Sequence, residues 1–333
     1  MTEKKCAQAA VPATCGELVQ GTLDGIPCLV SCPIDTFSVA EVCHTRAPEW
    51  DAPRDRPKTM AGLRAGVRYL GQSGGLRVRL ESDLPPGRGY GTSTADMAAA
   101  LYALGRAVDR PLSPAEAARL LVEIEPSDST VLPGLALLAH RNAHFHATLG
   151  EAPPLHVLVI DPGGQVDTLA FNRMDHRPAL RRLASAHREA FDLLRTSLRQ
   201  RDWRGVGEAA TRSARLHQGI LPNPWLDDVC HLSAAVGGLG VCRAHSGTLL
   251  GILLDADEDG ARAIWHFVAR HLPRELSLRL HHLCSGGPRH LESPAGATTA
   301  VPAGNEPASA RERDSGTAAL RPPVSDRGRV GVQ

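Results

Sequence analysis

The sequence predicts an α+β protein in which a β-sheet forms one layer and helices form the other. Three observations support this class. Strand-like segments separated by tight turns fill residues 10–43, and a glycine-rich loop joins a strand to an alanine-rich helix across 84–105. From residue 155 the order is strand, helices, two strands, helix and strand. That order is typical of a split βαβ layer packed on one side by helices.

For the N-terminal half, the sequence predicts strands followed by helices. The turn signal Asp24-Gly25 divides the first strand-like stretch, and residues 47–59, rich in Pro, Arg and Asp, predict an exposed loop. Residues 76–82 alternate apolar and polar side chains, which indicates a half-buried strand. Helices are predicted from about Ala95 to Gly105 and from Ser113, where Glu116 completes a capping box.

The second half begins with a mostly apolar strand at 155–161, followed by amphipathic helices. The remaining predicted elements are a strand–turn–strand unit at 240–254, a helix near 259–270 and a strand at 276–282. From residue 285 the composition changes to Pro, Gly, Ala, Ser and Arg, which cannot bury enough apolar surface to offset the entropy of ordering. We therefore expect domains at 1–154 and 155–284, and a disordered tail at 285–333.

Composition excludes several classes of function. The chain has 333 residues, of which 42% are hydrophobic, and a formal net charge of +1, which argues against nucleic-acid and membrane partners. The N-terminal segment lacks the apolar stretch of a secretory signal. Eight cysteines show neither a CxxC pair nor zinc-type spacing. These features predict a reduced, cytoplasmic protein with free thiols.

The most informative stretch runs from Leu84 to Asp96, between a strand and a helix. Its three glycines allow close approach of a ligand to backbone N–H groups, and the hydroxyls of Thr92, Ser93 and Thr94 stand where the helix begins. Loop amides and the helix dipole together suit a phosphate group, although an ordinary capped turn is the simpler alternative. A P-loop is excluded because the chain has no Gly-Lys dipeptide. With only three lysines, we expect backbone amides, Mg²⁺ and Arg88 to meet the phosphate charge.

Three segments in order carry a resemblance to a known family. They are Pro-Ala-Thr-Cys-Gly-Glu-Leu-Val-Gln-Gly at 12–21, the loop at 84–96 and Ala-His-Ser-Gly-Thr-Leu-Leu-Gly at 244–251. Together they resemble the three motifs of the GHMP kinases. Ser-Cys-Pro-Ile-Asp at 31–35 and Ile-Glu-Pro-Ser-Asp at 124–128 resemble the L-threonine kinases of cobalamin biosynthesis and propanediol utilisation within that superfamily.

The resemblance implies a two-layer GHMP kinase fold, with an N-terminal half like domain 2 of ribosomal protein S5 and a ferredoxin-like C-terminal half. It implies transfer of phosphate from ATP, with Mg²⁺, to the hydroxyl of L-threonine, a small hydroxy amino acid. A homodimer is compatible with the sequence. The open alternatives are another GHMP kinase acting on homoserine or a different alcohol, and a regulatory nucleotide-binding protein without turnover.

The same resemblance assigns roles to residues. Asp128 would be catalytic, Ser93 and Glu125 would hold the metal, and Glu17, Asp35, Ser246 and Thr248 would contact the substrate. The loop would bind ATP through Pro85, Pro86, Gly87, Arg88, Gly89, Tyr90, Gly91, Thr92, Ser93 and Thr94. Judged without the resemblance, Glu125 and Asp128 are also compatible with solvated acids before Pro133. The Gly91-Thr92 pair and Asn223 depart from the family pattern.

Overall fold

The computed structural model describes residues 5–45, 50–164, 166, 171 and 173–291. These residues fall within one compact unit. The strands are β1 Lys5–Leu23, β2 Ile26–Thr45, β3 Gly75–Glu81, β4 Leu135–Leu138, β5 His146–Gly150, β6 His156–Asp161, β7 Gly240–Arg243, β8 Leu250–Leu254, β9 Ser277–His282 and β10 Arg289–Leu291. The helices are α1 Pro57–Tyr69, α2 Thr92–Ala107, α3 Pro114–Val122, α4 Arg177–Arg182, α5 Ala184–Gln200, α6 Trp203–His217, α7 Leu226–Ala235 and α8 Glu258–His271.

The strands of the described residues all belong to one antiparallel sheet. Its main path runs β5-β4-β2-β1-β7-β8-β6-β9, with β3 paired to β2 and β10 paired to β1. The part β7-β8-β6-β9 has the strand order of a ferredoxin-like layer, which confirms the split βαβ prediction. The α+β, two-layer prediction is confirmed as well, because helices pack on this sheet throughout.

The long hairpin β1–β2 organises the N-terminal half. Asp24 and Gly25 form its tight turn at positive φ, as the sequence predicts. Helix α2 lies across both strands and is buried almost completely, because its alanines allow a close approach to the sheet. Helix α3 begins at the predicted capping box of Ser113 and Glu116.

Several local predictions need correction. Helix α1 starts at Pro57, inside the segment predicted as a loop, and strands β4 and β5 have no counterpart in the sequence-based assignment. The tail does not begin at 285, since residues 289–291 pair with β1; residues 292–333 lie outside the described residues. The boundary at 154/155 stays a prediction.

The expectation that all the thiols are free is also wrong for one pair. Cys6 and Cys43 form a disulfide, because the register of β1 and β2 places them directly opposite each other. The other six cysteines are free. Cys15 and Cys242 are completely buried, as expected for small apolar side chains within the motifs.

Candidate active site

A cavity of about 260 Å³ lies beside the glycine-rich loop. Its wall comes chiefly from residues 55–59 at the start of α1, from loop residues 86, 87 and 89–94 and from the segment 125–128 that follows α3, and Glu17 of β1 also contributes. A concave site of this kind, with several polar groups converging on one space, is the usual form of a small-molecule site.

The three motifs meet around this loop. From the first motif, the backbone N–H of Thr14 donates to the carbonyl of Tyr90 at 2.9 Å. From the third motif, the N–H of Thr248 donates to the carbonyl of Arg88 at 2.8 Å. The loop is therefore held on both sides by backbone hydrogen bonds, so its own geometry is fixed before any ligand binds.

Two glycines of the loop are required by close contacts. Gly89 has φ +111°, and a Cβ there would lie 2.3 Å from the Cβ of Ala244. Gly91 has φ +65°, and a Cβ there would lie 2.7 Å from a carboxylate oxygen of Asp128. Both positions combine a left-handed backbone with no room for a side chain. Gly91 also precedes the first residue of α2, and no side chain of the described residues caps that helix.

A hydroxyl, a carboxylate and an ammonium group lie in contact at the N-terminus of α2. The Ser93 hydroxyl donates to Oε1 of Glu125, and the Nζ of Lys58 contacts Oε2 of the same carboxylate at 2.5 Å. Lys58 is placed there by α1, which begins one residue earlier at Pro57. Glu125 is buried, so this pairing offsets the cost of burying its charge.

A second pair of carboxyl groups, Glu17 and Asp128, also lines the cavity. Burial raises the pKa of Glu17 well above its usual range, and the nearby charge of Asp128 raises it further. The pKa of Asp128 is raised as well, mainly by burial. Glu17 is 2% exposed, and its carboxyl group shares a side-chain hydrogen bond with Asp128. The two residues therefore present one acidic pair to the cavity.

Histidines form part of the same wall. The rings of His140 and His245 lie 4.9 Å apart between centroids, and both residues line the cavity. Burial lowers the pKa of His140 well below its usual range and that of His245 to about 3. Both imidazoles are therefore neutral, and they offer the cavity weakly polar rings rather than positive charge.

The structure brings most of the predicted residues together. Glu17, Glu125, Asp128 and Ser246 line the cavity, as do the predicted loop residues Pro86, Gly87, Gly89, Tyr90, Gly91, Thr92, Ser93 and Thr94. Pro85 lies just behind them, where its carbonyl accepts from the Thr92 hydroxyl at 3.3 Å.

Besides Pro85, three predicted residues do not line the cavity. Arg88 turns away from it, and its Nη1 donates to Asp161 at 2.9 Å, which neutralises the expected phosphate-binding cation. Asp35 accepts from the backbone of His282 at 3.1 Å and is exposed. Thr248 supports the loop through its backbone, as described above, and does not line the cavity.

Sequence reasoning missed Lys58 and the histidine wall. Lys58 lies in the Pro- and Arg-rich segment that the sequence predicts as an exposed loop, and that prediction places no cation at the cavity. Its position just after Pro57, at a helix start, was the available signal. His140 lies in a buried turn after β4 and belongs to none of the three motifs.

Comparisons with known proteins agree with this arrangement. The family model described as the GHMP kinases N terminal domain matches residues 59–134, and the model described as GHMP kinases C terminal matches residues 194–274. An L-threonine kinase of Citrobacter freundii is 31% identical over 82% of this chain and 97% of its own length. An L-threonine kinase of Salmonella typhimurium (strain LT2) is 32% identical over 82% of this chain and 93% of its own length.

Solved structures show the same fold at low identity. The homoserine kinase of Cytophaga hutchinsonii has a TM-score of 0.65 and 17% identity, over 87% of this chain and 99% of that one. Among the described residues, no helix combines the length and the apolar character that crossing a bilayer requires. The three converging motifs, the two family matches and the near full-length relatives together establish that this chain belongs to the GHMP kinases and is a small-molecule kinase.

Proposed function

We propose that this kinase transfers the γ-phosphoryl group of ATP to the side-chain hydroxyl of free L-threonine, giving O-phospho-L-threonine and ADP. The choice of threonine is supported by the two L-threonine kinases that it resembles over almost their whole length. The observation that carries the substrate class is the pair of buried carboxyl groups, Glu17 and Asp128, in the cavity wall. An amino acid brings an ammonium group that can bind a carboxylate there.

On the nucleotide side, loop residues 85–94 would hold the ATP phosphates. Uncapped N–H groups at the start of α2 and the positive end of its dipole favour an anion there. Lys58 lines the cavity and would add positive charge beside the phosphates, whereas Arg88 does not line the cavity. The domain at 1–154 would thus contribute most of the ATP site.

The donor atoms at Ser93 and Glu125 fit a magnesium ion. A hydroxyl and a carboxylate in direct contact are hard oxygen donors, which Mg²⁺ prefers, and GHMP kinases use ATP with a divalent metal. When bound, the ion would neutralise charge on the β- and γ-phosphate oxygens. Lys58 would keep the Glu125 carboxylate oriented whether or not the metal is present.

Asp128 would act on the attacking hydroxyl. Its carboxylate lies against the loop at Gly91, beside the expected position of the γ-phosphate. It would accept the hydroxyl proton as the new bond from the threonine oxygen to phosphorus forms and the bond from phosphorus to the ADP oxygen breaks. Burial raises the pKa of Asp128, which makes it a stronger base than an exposed aspartate.

On the substrate side, Glu17 would bind the ammonium group and Ser246 would contact the substrate from the third motif. His140 and His245 would face its small side chain with neutral rings. Asp35 would lie outside the substrate site, and Thr248 would support the loop without contacting the substrate. A place in cobalamin biosynthesis in the cytoplasm is the setting that the sequence resemblance implies.

The test is an ADP-release assay with Mg-ATP and a panel of acceptors. We expect turnover with L-threonine, less with L-serine and L-homoserine, and none with mevalonate. O-methyl-L-threonine is the matched control, since it keeps the amino acid but has no hydroxyl to phosphorylate. Turnover of L-homoserine without turnover of L-threonine would contradict the substrate proposal, and ADP release that is independent of any acceptor would contradict the kinase mechanism.

A further inference from the structure

A second cluster of ligating side chains lies outside the cavity, on the C-terminal part of the sheet. His156 stands on β6, His282 on the edge strand β9, and Glu258 is the first residue of α8. None of the three lines the cavity of the candidate active site. Their ligand atoms all lie within 4.8 Å of one another.

The fold itself brings these residues together. His156 and His282 are direct partners in the antiparallel register of β6 and β9, so both side chains leave the same face of the sheet. Their rings lie 4.4 Å apart between centroids. Glu258 reaches this pair from the first turn of α8, whose start is fixed by the side chain of Asp257 accepting from the N–H of Gly260 at 2.8 Å.

The separations match those of ligands around a small tetrahedral ion. The Nε2 of His156 is 3.1 Å from Oε2 of Glu258, and the Nε2 of His282 is 3.6 Å from the same oxygen. For metal–ligand bonds of about 2.0–2.1 Å, tetrahedral geometry places neighbouring ligand atoms about 3.4 Å apart. Both histidine-to-carboxylate separations thus lie within a few tenths of an ångström of that value, and the three ligand atoms all lie within 4.8 Å of one another.

The surroundings hold the carboxylate in place. Arg262 contacts Oε1 of Glu258 at 3.0 Å, which leaves Oε2 turned toward the histidines. Such an outer contact orients a metal ligand, as partners beyond the ligands commonly do. His156 is 7% exposed, whereas Glu258 and His282 are open enough to solvent to admit an ion.

We propose that His156, His282 and Glu258 form a binding site for a divalent transition-metal ion, with Zn²⁺ as the ion of choice. Two imidazoles and one carboxylate suit zinc, and a water molecule would take the fourth position. The ion would link the start of α8 to the edge strand β9. It would be separate from the Mg-ATP site and from phosphoryl transfer, so this proposal stands whether or not the kinase substrate is threonine.

The test uses the full-length protein, stripped of metal with a chelator and titrated with Zn²⁺ without nucleotide. We expect one strongly bound zinc per chain by calorimetry and by metal analysis after dialysis. At a thousandfold excess of Zn²⁺ over Kd, Tm should rise by about 5 °C. His282→Ala and Glu258→Gln should each weaken zinc binding at least tenfold and remove the rise in Tm.

The matched control is His281→Ala, because His281 is the neighbouring residue on β9 and faces the other side of the sheet, where it contacts Asp35 at 3.0 Å. This variant should bind zinc like the wild-type protein. The proposal is overturned if the wild-type protein takes up no zinc, or if His282→Ala and Glu258→Gln both bind zinc as tightly as wild type. Both altered side chains are partly exposed, and either variant alone decides the matter if the other fails to fold.

Discussion

The Glu17→Gln variant tests the substrate side of the account most sharply, because it replaces an ionisable carboxyl group with a neutral amide of almost the same volume. If the buried Glu17 carboxylate pairs with the substrate ammonium, its loss leaves that charge without its partner inside the protein. Breaking a buried pair in this way costs about 3 kcal/mol, which corresponds to roughly 150-fold in kcat/KM for L-threonine. KM for ATP should change little, because Glu17 lies on β1 and outside the loop.

The same substitution should stabilise the free protein, and the sign of its pH dependence follows from the pKa shift. The pKa of Glu17 is raised on folding, so the folded state binds the proton more tightly than the unfolded state. Stability of the wild-type protein therefore falls as pH rises from the unfolded pKa through the folded one. Glu17→Gln removes this loss, so its Tm should equal that of wild type near pH 5 and exceed it increasingly toward pH 8.

Steady-state kinetics with varied L-threonine and varied ATP, together with thermal unfolding at several pH values, measure both effects. The reasoning is refuted if Glu17→Gln raises KM for ATP as much as KM for L-threonine, or if it lowers Tm at pH 8. Either result would give Glu17 a structural role in β1 in place of a contact to the substrate.

Three further predictions concern the phosphate side. Asp128→Asn should lower kcat by about 10²–10⁴-fold while ATP affinity, measured by nucleotide titration, stays near wild type; normal turnover would remove Asp128 from the mechanism. Lys58→Met should lower kcat/KM for ATP about 100-fold, and Lys58→Arg should retain more activity; equal rates for all three proteins would contradict the role of the cation. Gly91→Ala should raise KM for ATP at least tenfold, because its Cβ would press on Asp128. Gly25→Ala, with a similar positive φ and open space around it, is the matched control and should leave KM for ATP unchanged.

Much of the fold was predictable because its signals are local. Period-two alternation marked β3, the Asp24-Gly25 turn marked the β1–β2 hairpin, and the capping box of Ser113 marked the start of α3. These patterns depend on side chains that are neighbours in sequence. Helix α1 carries only one local signal, Pro57 at its start, and its first turn lies within a segment whose Pro and Arg content is typical of a loop.

The site residues that belong to sequence motifs were predictable. Contacts between residues far apart in the sequence were not. The loop glycines and Asp128 are predicted through motifs, and the structure places Asp128 beside Gly91. The pairing of Lys58 with Glu125 joins residues 67 positions apart, which no local pattern could reveal. Likewise, Arg88 lies in the loop but pairs with Asp161 on β6. This contact arises because a single sheet joins the strands of the N-terminal and C-terminal halves.

The most direct test of the central proposal is to identify which oxygen receives the phosphate. Wild-type protein is incubated with Mg-ATP and L-threonine, and the product is examined by ³¹P NMR with correlation to protons. The account predicts a new phosphate signal that couples to the β-proton of threonine and grows in equal amount with ADP. ADP without that signal, or inorganic phosphate as the sole phosphorus product, would contradict it.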